Sequence, residues 1–231
     1  VLLFCGVVAR YVFGSPIIWA DEVASIAFIW LAMVGATLAV HRNEHLRLSL
    51  VVDRLAPKVR ELTHAFALVA MAAMLVTLLG PSITYVREEW VITSPALGIP
   101  NAFRVAAIAF GVAAMLALLL VYATRTVRRS SLLVALVFVG AVVGACWLAS
   151  PQLAKLGTLN IAIFLAGFTV VCLVAGIPIA FCFGIGAVAY LAFSTRMPLM
   201  VVIGRMDEGM SSLVLVSVPI FVLLGCVLDA T

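Results

Sequence analysis

The chain has 231 residues, of which 66% are hydrophobic and 10% are charged, and its net charge at pH 7 is +4. Soluble domains carry about a quarter charged residues, and a soluble fold of this size has too little interior to bury so much apolar surface. The composition therefore excludes an ordinary soluble protein. It predicts an all-α, polytopic helical membrane protein in a lipid bilayer, with about seven to eight hydrophobic segments.

The first long segment covers residues 21–40, after an apolar stretch over residues 1–12. At roughly 1.5 Å per residue, it is about long enough to cross a hydrocarbon core of roughly 30 Å. Further spans are predicted over 62–86, 102–122 and 132–149, with an interfacial helix over 46–60 that Pro57 interrupts.

Shorter apolar runs follow in the last third of the chain. Residues 161–176 and 179–193 flank Gly176-Ile177-Pro178, and residues 196–212 form an amphipathic, surface-lying segment. The last run, from residue 213 onward, is broken by Pro219, and a re-entrant hairpin is one arrangement open to it.

Lysine and arginine residues concentrate in two stretches between predicted spans. These are Arg42, Arg47, Arg54, Lys58 and Arg60 in the first, and Arg125, Arg128 and Arg129 in the second. Short loops rich in Lys and Arg stay in the cytoplasm, so both stretches are predicted to face it. A basic patch divided between two such loops fits membrane topology better than nucleic-acid binding, and no nucleic-acid partner is predicted.

The path of residues 159–194 is left open by the sequence. If this run crosses twice around Gly176-Ile177-Pro178, the amphipathic segment 196–212 lies outside. If it makes one broken crossing, the segment lies inside. Two arginines against Asp207 and Glu208 are too few to decide between these paths.

Two acidic pairs, each beside a tryptophan, are candidate docking residues. Asp21 and Glu22 open a predicted helix, where carboxylates interact with exposed N–H groups and the positive end of the helix dipole. Glu88 and Glu89 stand in a predicted polar loop. Helix capping and solvation explain the pairs without a partner, whereas the functional hypothesis is a charged outer surface on which a partner protein lands.

The chain carries no G-x-S-x-G elbow, no H-E-x-x-H sequence and no Gly-rich phosphate loop. Its five cysteines lie singly in apolar runs, so neither an enzyme nor a cofactor is predicted. Two interruptions remain, Gly176-Ile177-Pro178 and Ser217-Val218-Pro219. Broken helices expose backbone groups, which secondary transporters use to coordinate sodium and anionic groups. An ordinary proline kink is the alternative at each position.

Residues 10–45 resemble the small membrane subunit of the tripartite ATP-independent periplasmic (TRAP) transporters. That pattern runs R-Y-hydrophobic-F, W-x-E-E, F-x-W, G-A, and then a basic turn with His. The matching residues are Arg10, Tyr11, Phe13, Trp19, Glu22, Phe28, Trp30, Gly35, Ala36, Arg42 and His45, and Asp21 replaces the first Glu. Residues 176–231 resemble the start of the large membrane subunit, with departures at Ile220, Val222 and Leu224.

The order of these segments is similar to that in fused subunits. The resemblance implies a DctQ-like scaffold domain over 1–130, a linking helix and loop over 131–158, and the start of a DctM-like transport domain over 159–231. On this view the chain is a fragment that cannot transport alone.

The resemblance also implies a function, namely a component of a sodium-driven secondary transporter in the bacterial inner membrane. Such a transporter takes up a small organic anion, of the C4-dicarboxylate or sialic-acid type, delivered by a periplasmic solute-binding protein. Sodium would be the coupling ion, with Ser217, Val218 and Pro219 as the candidate sodium-site region, and the two acidic pairs would dock the binding protein. A non-transport membrane anchor or assembly subunit is the alternative.

Overall fold

The structure is a computed structural model that describes residues 2–15, 17–42, 56–153, 159–195 and 197–229. Its helices are α1 (Leu2–Tyr11), α2 (Ile18–Arg42), α3 (Pro57–Glu88), α4 (Ala102–Thr126), α5 (Arg129–Leu153), α6 (Leu159–Val174), α7 (Ile179–Ser194), α8 (Met200–Met210) and α9 (Leu213–Asp229). Among the described residues, α2 to α5 are the helices long and apolar enough to cross a membrane. This confirms the predicted helical membrane protein.

The four long helices form a bundle in which α4 packs against α2 and α3, and α5 packs against α3. Buried side chains recur three or four residues apart, as on the inward face of a packed helix. Those of α3 and α4 include Leu68, Met71, Leu75, Leu78, Val105, Ile108, Val112 and Leu119. Outward-facing side chains are also apolar, among them Leu133, Val137 and Phe138 of α5, because lipid and not water surrounds this part of the chain.

The bundle has two ends of different charge. The acidic end carries the two acidic pairs, at the start of α2 and the end of α3. The basic end carries Arg60, Arg125, Arg128 and Arg129. At the basic end the Ser131 hydroxyl donates to the Glu61 carboxylate at 2.8 Å, which places the start of α5 beside the start of α3.

Pro57 begins α3, whereas the sequence predicted that it interrupts an interfacial helix and that the span starts at residue 62. Proline suits the first turn of a helix because its missing N–H has no partner there. The remainder of that predicted interfacial helix, over residues 46–55, lies outside the described residues.

Helices α6 and α7 form an antiparallel hairpin. Phe164, near the start of α6, lies 6.5 Å from Phe193, near the end of α7, measured between ring centroids. The hairpin returns the chain to the acidic end, where α8 bonds to Arg104 of α4. This return agrees with the arrangement in which residues 196–212 lie at the acidic end, although α6 and α7 are shorter than the helices that qualify as membrane spans.

The turn of the hairpin is the predicted interruption at Gly176-Ile177-Pro178. Gly176 has a φ of 78°, the left-handed conformation that glycine adopts without strain. Its N–H donates to the Leu173 carbonyl at 3.0 Å, and the Ile177 N–H donates to the Cys172 carbonyl at 3.1 Å. This is the Schellman arrangement, and it uses these two carbonyls within the turn itself.

The second predicted interruption, at Ser217-Val218-Pro219, is wrong. Helix α9 runs from Leu213 to Asp229 as one element. Membrane helices tolerate an internal proline where neighbouring groups re-satisfy the freed backbone carbonyl. Unlike Pro178, Pro219 is not preceded by a glycine that could end the helix.

Candidate functional site at the acidic end

Helix α8 packs against α3 and α4 at the acidic end of the bundle. It has one buried face and one exposed face. Ile203 and Asp207 are buried, whereas Arg205 and Glu208 are exposed. Residues four apart share a helix face, so Asp207 lies on the side of α8 that faces the bundle. A carboxylate on an inward, otherwise apolar face requires a partner.

That partner is Arg104, in the first turn of α4. Asp207 is 4% exposed, and its Oδ2 accepts a hydrogen bond from Arg104 Nη2 at 2.8 Å. The Tyr85 hydroxyl of α3 donates to the same oxygen at 3.3 Å. Burial raises the pKa of the Asp207 carboxyl above its ordinary value, and the Arg104 guanidinium opposes that rise.

The Arg104 side chain makes further contacts on both sides. Its Nη1 donates to Ser211 Oγ at 2.6 Å, and its Nε donates to Asn101 Oδ1 at 2.9 Å. The Asn101 amide in turn donates to the Glu89 carboxylate. A planar guanidinium with several fixed donors suits such a junction better than an ammonium group. The polar cluster comprises Tyr85, Glu89, Asn101, Arg104, Asp207 and Ser211.

Sequence reasoning missed this cluster. It gave Arg104 no role and counted Asp207 only toward the charge balance of its segment. The available signal was the position of Asp207, because it falls on the apolar face of the amphipathic segment, one turn after Ile203. A charge on the apolar face of a helix is a reason to search for a buried partner.

Glu22 was predicted to cap a helix or to dock a partner protein, and the structure gives it a different contact. Its carboxylate oxygens accept hydrogen bonds from the backbone N–H groups of Ala96, at 2.8 Å, and Leu97, at 2.9 Å. These amides lie in the loop between α3 and α4, so Glu22 holds that loop against the start of α2.

The other predicted docking residues gather at the same end. Asp21 lies in the first turn of α2, with Oδ2 3.8 Å from Arg10 Nη2, and both side chains are more than half exposed. Glu88 is also exposed, whereas Glu89 contacts Asn101. Two of the four carboxylates, Asp21 and Glu88, therefore face outward, and docking stays a prediction.

The predicted sodium-site region is placed within α9. Val218 is exposed, and the side chains of Ser217 and Pro219 lie outside the described ones. In the described parts of the chain, no group of three or more His, Cys, Asp or Glu residues could hold a metal ion. A sodium ion can also be held by carbonyl and hydroxyl oxygens, so the role of Ser217, Val218 and Pro219 stays a prediction.

Comparison with protein families assigns both parts of the chain. The family model of the DctQ component of the tripartite ATP-independent periplasmic transporters matches residues 1–129. The model of the DctM component matches residues 166–231. The chain therefore joins a region of the small-subunit family to a region of the large-subunit family. The chain belongs to the TRAP transporter family, which consists of transporters and not enzymes.

Individual relatives agree with this assignment. The chain is 22% identical to the isethionate TRAP transporter permease protein DctMQ of Oleidesulfovibrio alaskensis, over 94% of this chain and 34% of that protein. It is 35% identical to the C4-dicarboxylate TRAP transporter small permease protein DctQ of Vibrio cholerae, over 32% of this chain and 31% of that protein.

A third relative is the sialic acid TRAP transporter permease protein SiaT of Haemophilus influenzae. The identity is 32%, over 28% of this chain and 11% of that protein. The chain thus spans about a third or less of the length of the curated relatives that it matches.

Proposed function

We propose that this chain forms the scaffold and the first transport segment of a sodium-driven permease for a small organic anion. The anion is delivered by a periplasmic solute-binding protein, and the permease lies in the bacterial inner membrane. The observation that carries the proposal is the succession of DctQ and DctM components in one helical membrane chain. Isethionate, C4-dicarboxylates and sialic acid, named for three relatives, are all organic anions, and this supports the substrate class.

Within this proposal residues 1–130 act as the scaffold. Their long helices, α2 to α4, pack together through buried apolar side chains. Residues 131–158 link the scaffold to residues 159–231, which begin the transport domain. Ser217, Val218 and Pro219 lie near the sodium ion, since a serine hydroxyl and backbone carbonyls are suitable ligands for a hard cation.

A non-transport membrane anchor or assembly subunit is the second candidate. One observation favours it: the turn at Gly176-Ile177-Pro178 uses its carbonyls internally, and α9 is continuous. Interrupted helices therefore no longer distinguish a transporter from an anchor in this chain. The transport proposal rests on the family instead.

The test is uptake by the complete gene product that contains residues 1–231, reconstituted in liposomes with a periplasmic solute-binding protein for each anion offered. Radiolabelled sialic acid, C4-dicarboxylates and isethionate are offered with an inward sodium gradient or with potassium in its place. We expect sodium-dependent accumulation of at least one anion, only when the binding protein is present. Correctly inserted protein that binds its partner and accumulates none of them would support the anchor.

The same preparation tests the sodium-site region. The Ser217→Ala variant is expected to need more sodium for half-maximal uptake, because it loses a hydroxyl ligand. Cys226→Ala, further along α9, is the matched control and should leave the sodium dependence unchanged. Equal sodium dependence in Ser217→Ala and the wild type would remove Ser217 from the site.

A further inference from the structure

The polar cluster connects the two parts of the chain that match different family components. Arg104 belongs to the part matched by DctQ, residues 1–129, whereas Asp207 and Ser211 belong to the part matched by DctM, residues 166–231. We propose that Arg104 is a positioning residue that fixes α8, and with it the start of α9, on the small-subunit part of the permease. This deepens the proposed function, and it rests on that function only where uptake is measured.

The geometry fixes α8 in more than one respect. Arg104 reaches Asp207 through Nη2 and Ser211 through Nη1, and these partners lie one helical turn apart. A contact to two successive turns sets the rotation of α8 about its axis as well as its distance from α4. The Nε bond to Asn101 holds the Arg104 side chain from the scaffold side.

Because the Asp207 carboxylate is buried, the position of α8 depends on the charge of Arg104. The Asp207 side chain is 6% exposed and that of Arg104 is 20% exposed. Removing one partner of a buried ion pair leaves the other charge without compensation, which is strongly destabilising. If Arg104 becomes neutral, Asp207 must either take up a proton or become exposed to water, and each outcome weakens the contact that holds α8 on the bundle.

The start of α9 follows α8 directly. Only Ser211 and Ser212 separate the end of α8 at Met210 from the beginning of α9 at Leu213. Ser211 is itself bonded to Arg104, so the contact reaches the connection between the two helices. A displacement of α8 therefore moves the first turn of α9.

Hydrogen exchange of the intact permease in lipid nanodiscs tests the positioning role. In Arg104→Gln, the amides of residues 200–212 are expected to exchange faster than in the wild type, while those of α3 and α4 keep their protection. Arg205→Gln is the matched control, because Arg205 pairs with Glu208 on the exposed face of the same helix, at 2.7 Å. Exposed pairs contribute little to stability, so this control should exchange like the wild type.

Two further variants keep the test decisive if Arg104→Gln does not accumulate. Asp207→Asn combined with Arg104→Gln removes both charges and keeps a hydrogen-bonding pair, so the double variant should be closer to wild type than Arg104→Gln. Arg104→Lys keeps the charge but replaces the three separate guanidinium nitrogens, each of which bonds a different partner, by a single ammonium nitrogen. Intermediate exchange is expected. Equal exchange of residues 200–212 in wild type, Arg104→Gln and Arg104→Lys would overturn the proposal.

Uptake gives an independent measurement. A displaced α8 is expected to lower the maximal uptake rate per inserted permease, with the half-saturating concentration of the loaded binding protein unchanged. The double variant should recover part of the rate. If uptake is absent even in the wild type, the proposed function fails, and the exchange experiment still decides the role of Arg104. Faster exchange of α8 with a wild-type uptake rate would contradict a positioning role in transport.

Discussion

Glu22 accepts a hydrogen bond from the backbone N–H of Ala96 at 2.8 Å, across 74 positions of sequence. A second bond, from the Leu97 N–H to the other carboxylate oxygen, is 2.9 Å long. One carboxylate at the start of α2 thus holds two successive amides of the loop between α3 and α4. Hydrogen bonds to an ionised acceptor are stronger than neutral ones, so the loop depends on this residue for its position.

We therefore expect Glu22→Gln to loosen the loop. The glutamine side chain has one acceptor oxygen and an NH₂ group that cannot accept from an amide, so one of the two backbone N–H groups loses its partner. Hydrogen exchange of residues 92–99 in nanodiscs should be faster than in the wild type. Glu88→Gln, an exposed change at the end of α3, is the control, and equal exchange in both variants would show that Glu22 does not hold the loop.

The outward-facing carboxylates of Asp21 and Glu88 are predicted to attract the periplasmic solute-binding protein through their charge. Reversal of Asp21 and Glu88 to lysine should weaken binding of the periplasmic solute-binding protein, mainly through slower association. The effect should shrink as salt rises, because the screening length is about 10 Å at 0.1 M ionic strength. The measurement is the association rate on permease in nanodiscs at two salt concentrations.

The control for docking reverses charge at the other end of the bundle. Arg128→Glu with Arg129→Glu changes the basic end, which the binding protein does not reach in the proposed orientation. Unchanged affinity at low salt for the Asp21 and Glu88 variant, or an equal loss for the control, would rule out docking at these acids.

The long helices were predictable because their signal is local. An apolar run of suitable length between charged ends defines α2, α4 and α5 without knowledge of any contact. Pro57 was assigned the wrong role, because a proline can begin a helix as well as interrupt one. The prolines at the two predicted interruptions show the same ambiguity: Gly176 decides it at Pro178, and nothing comparable precedes Pro219.

The cluster could not be predicted for a different reason. Arg104 and Asp207 are 103 positions apart, and their contact requires the α6–α7 hairpin to return the chain to the acidic end. The sequence left that path open. Without it, Glu22 and Glu89 also appear as surface charges, although the structure uses both in contacts within the protein.

Close packing inside the hairpin predicts a large difference between two glycines. A Cβ at Gly186 of α7 would lie 2.8 Å from Thr169 Oγ1 and 2.9 Å from the Phe164 carbonyl oxygen. The backbone oxygen cannot move aside easily, so Gly186→Ala should destabilise the permease by about 1–3 kcal/mol, as overpacking does. Thermal unfolding in detergent measures the change.

Gly140 of α5 is the matched control. Within the described part of the chain, nothing lies within 4 Å of a Cβ built there. Gly140→Ala should be neutral or raise stability by roughly 0.5–1 kcal/mol, since alanine loses less backbone entropy in a helix. Equal melting temperatures for the Gly186 and Gly140 variants would contradict the close packing of α6 against α7.

The α6–α7 hairpin brings the amphipathic helix α8 to the acidic end of the bundle, which faces away from the cytoplasm in the proposed orientation. The measurement that tests this placement of α8 is labelling with a membrane-impermeant maleimide in right-side-out vesicles. The five cysteines of residues 1–231 are first replaced by alanine. Single cysteines are introduced as Glu88→Cys, Glu208→Cys and Arg128→Cys. We expect the first two to be labelled in intact vesicles and the third only after permeabilisation. Labelling of Glu208→Cys only after permeabilisation would place α8 on the cytoplasmic side and contradict the account.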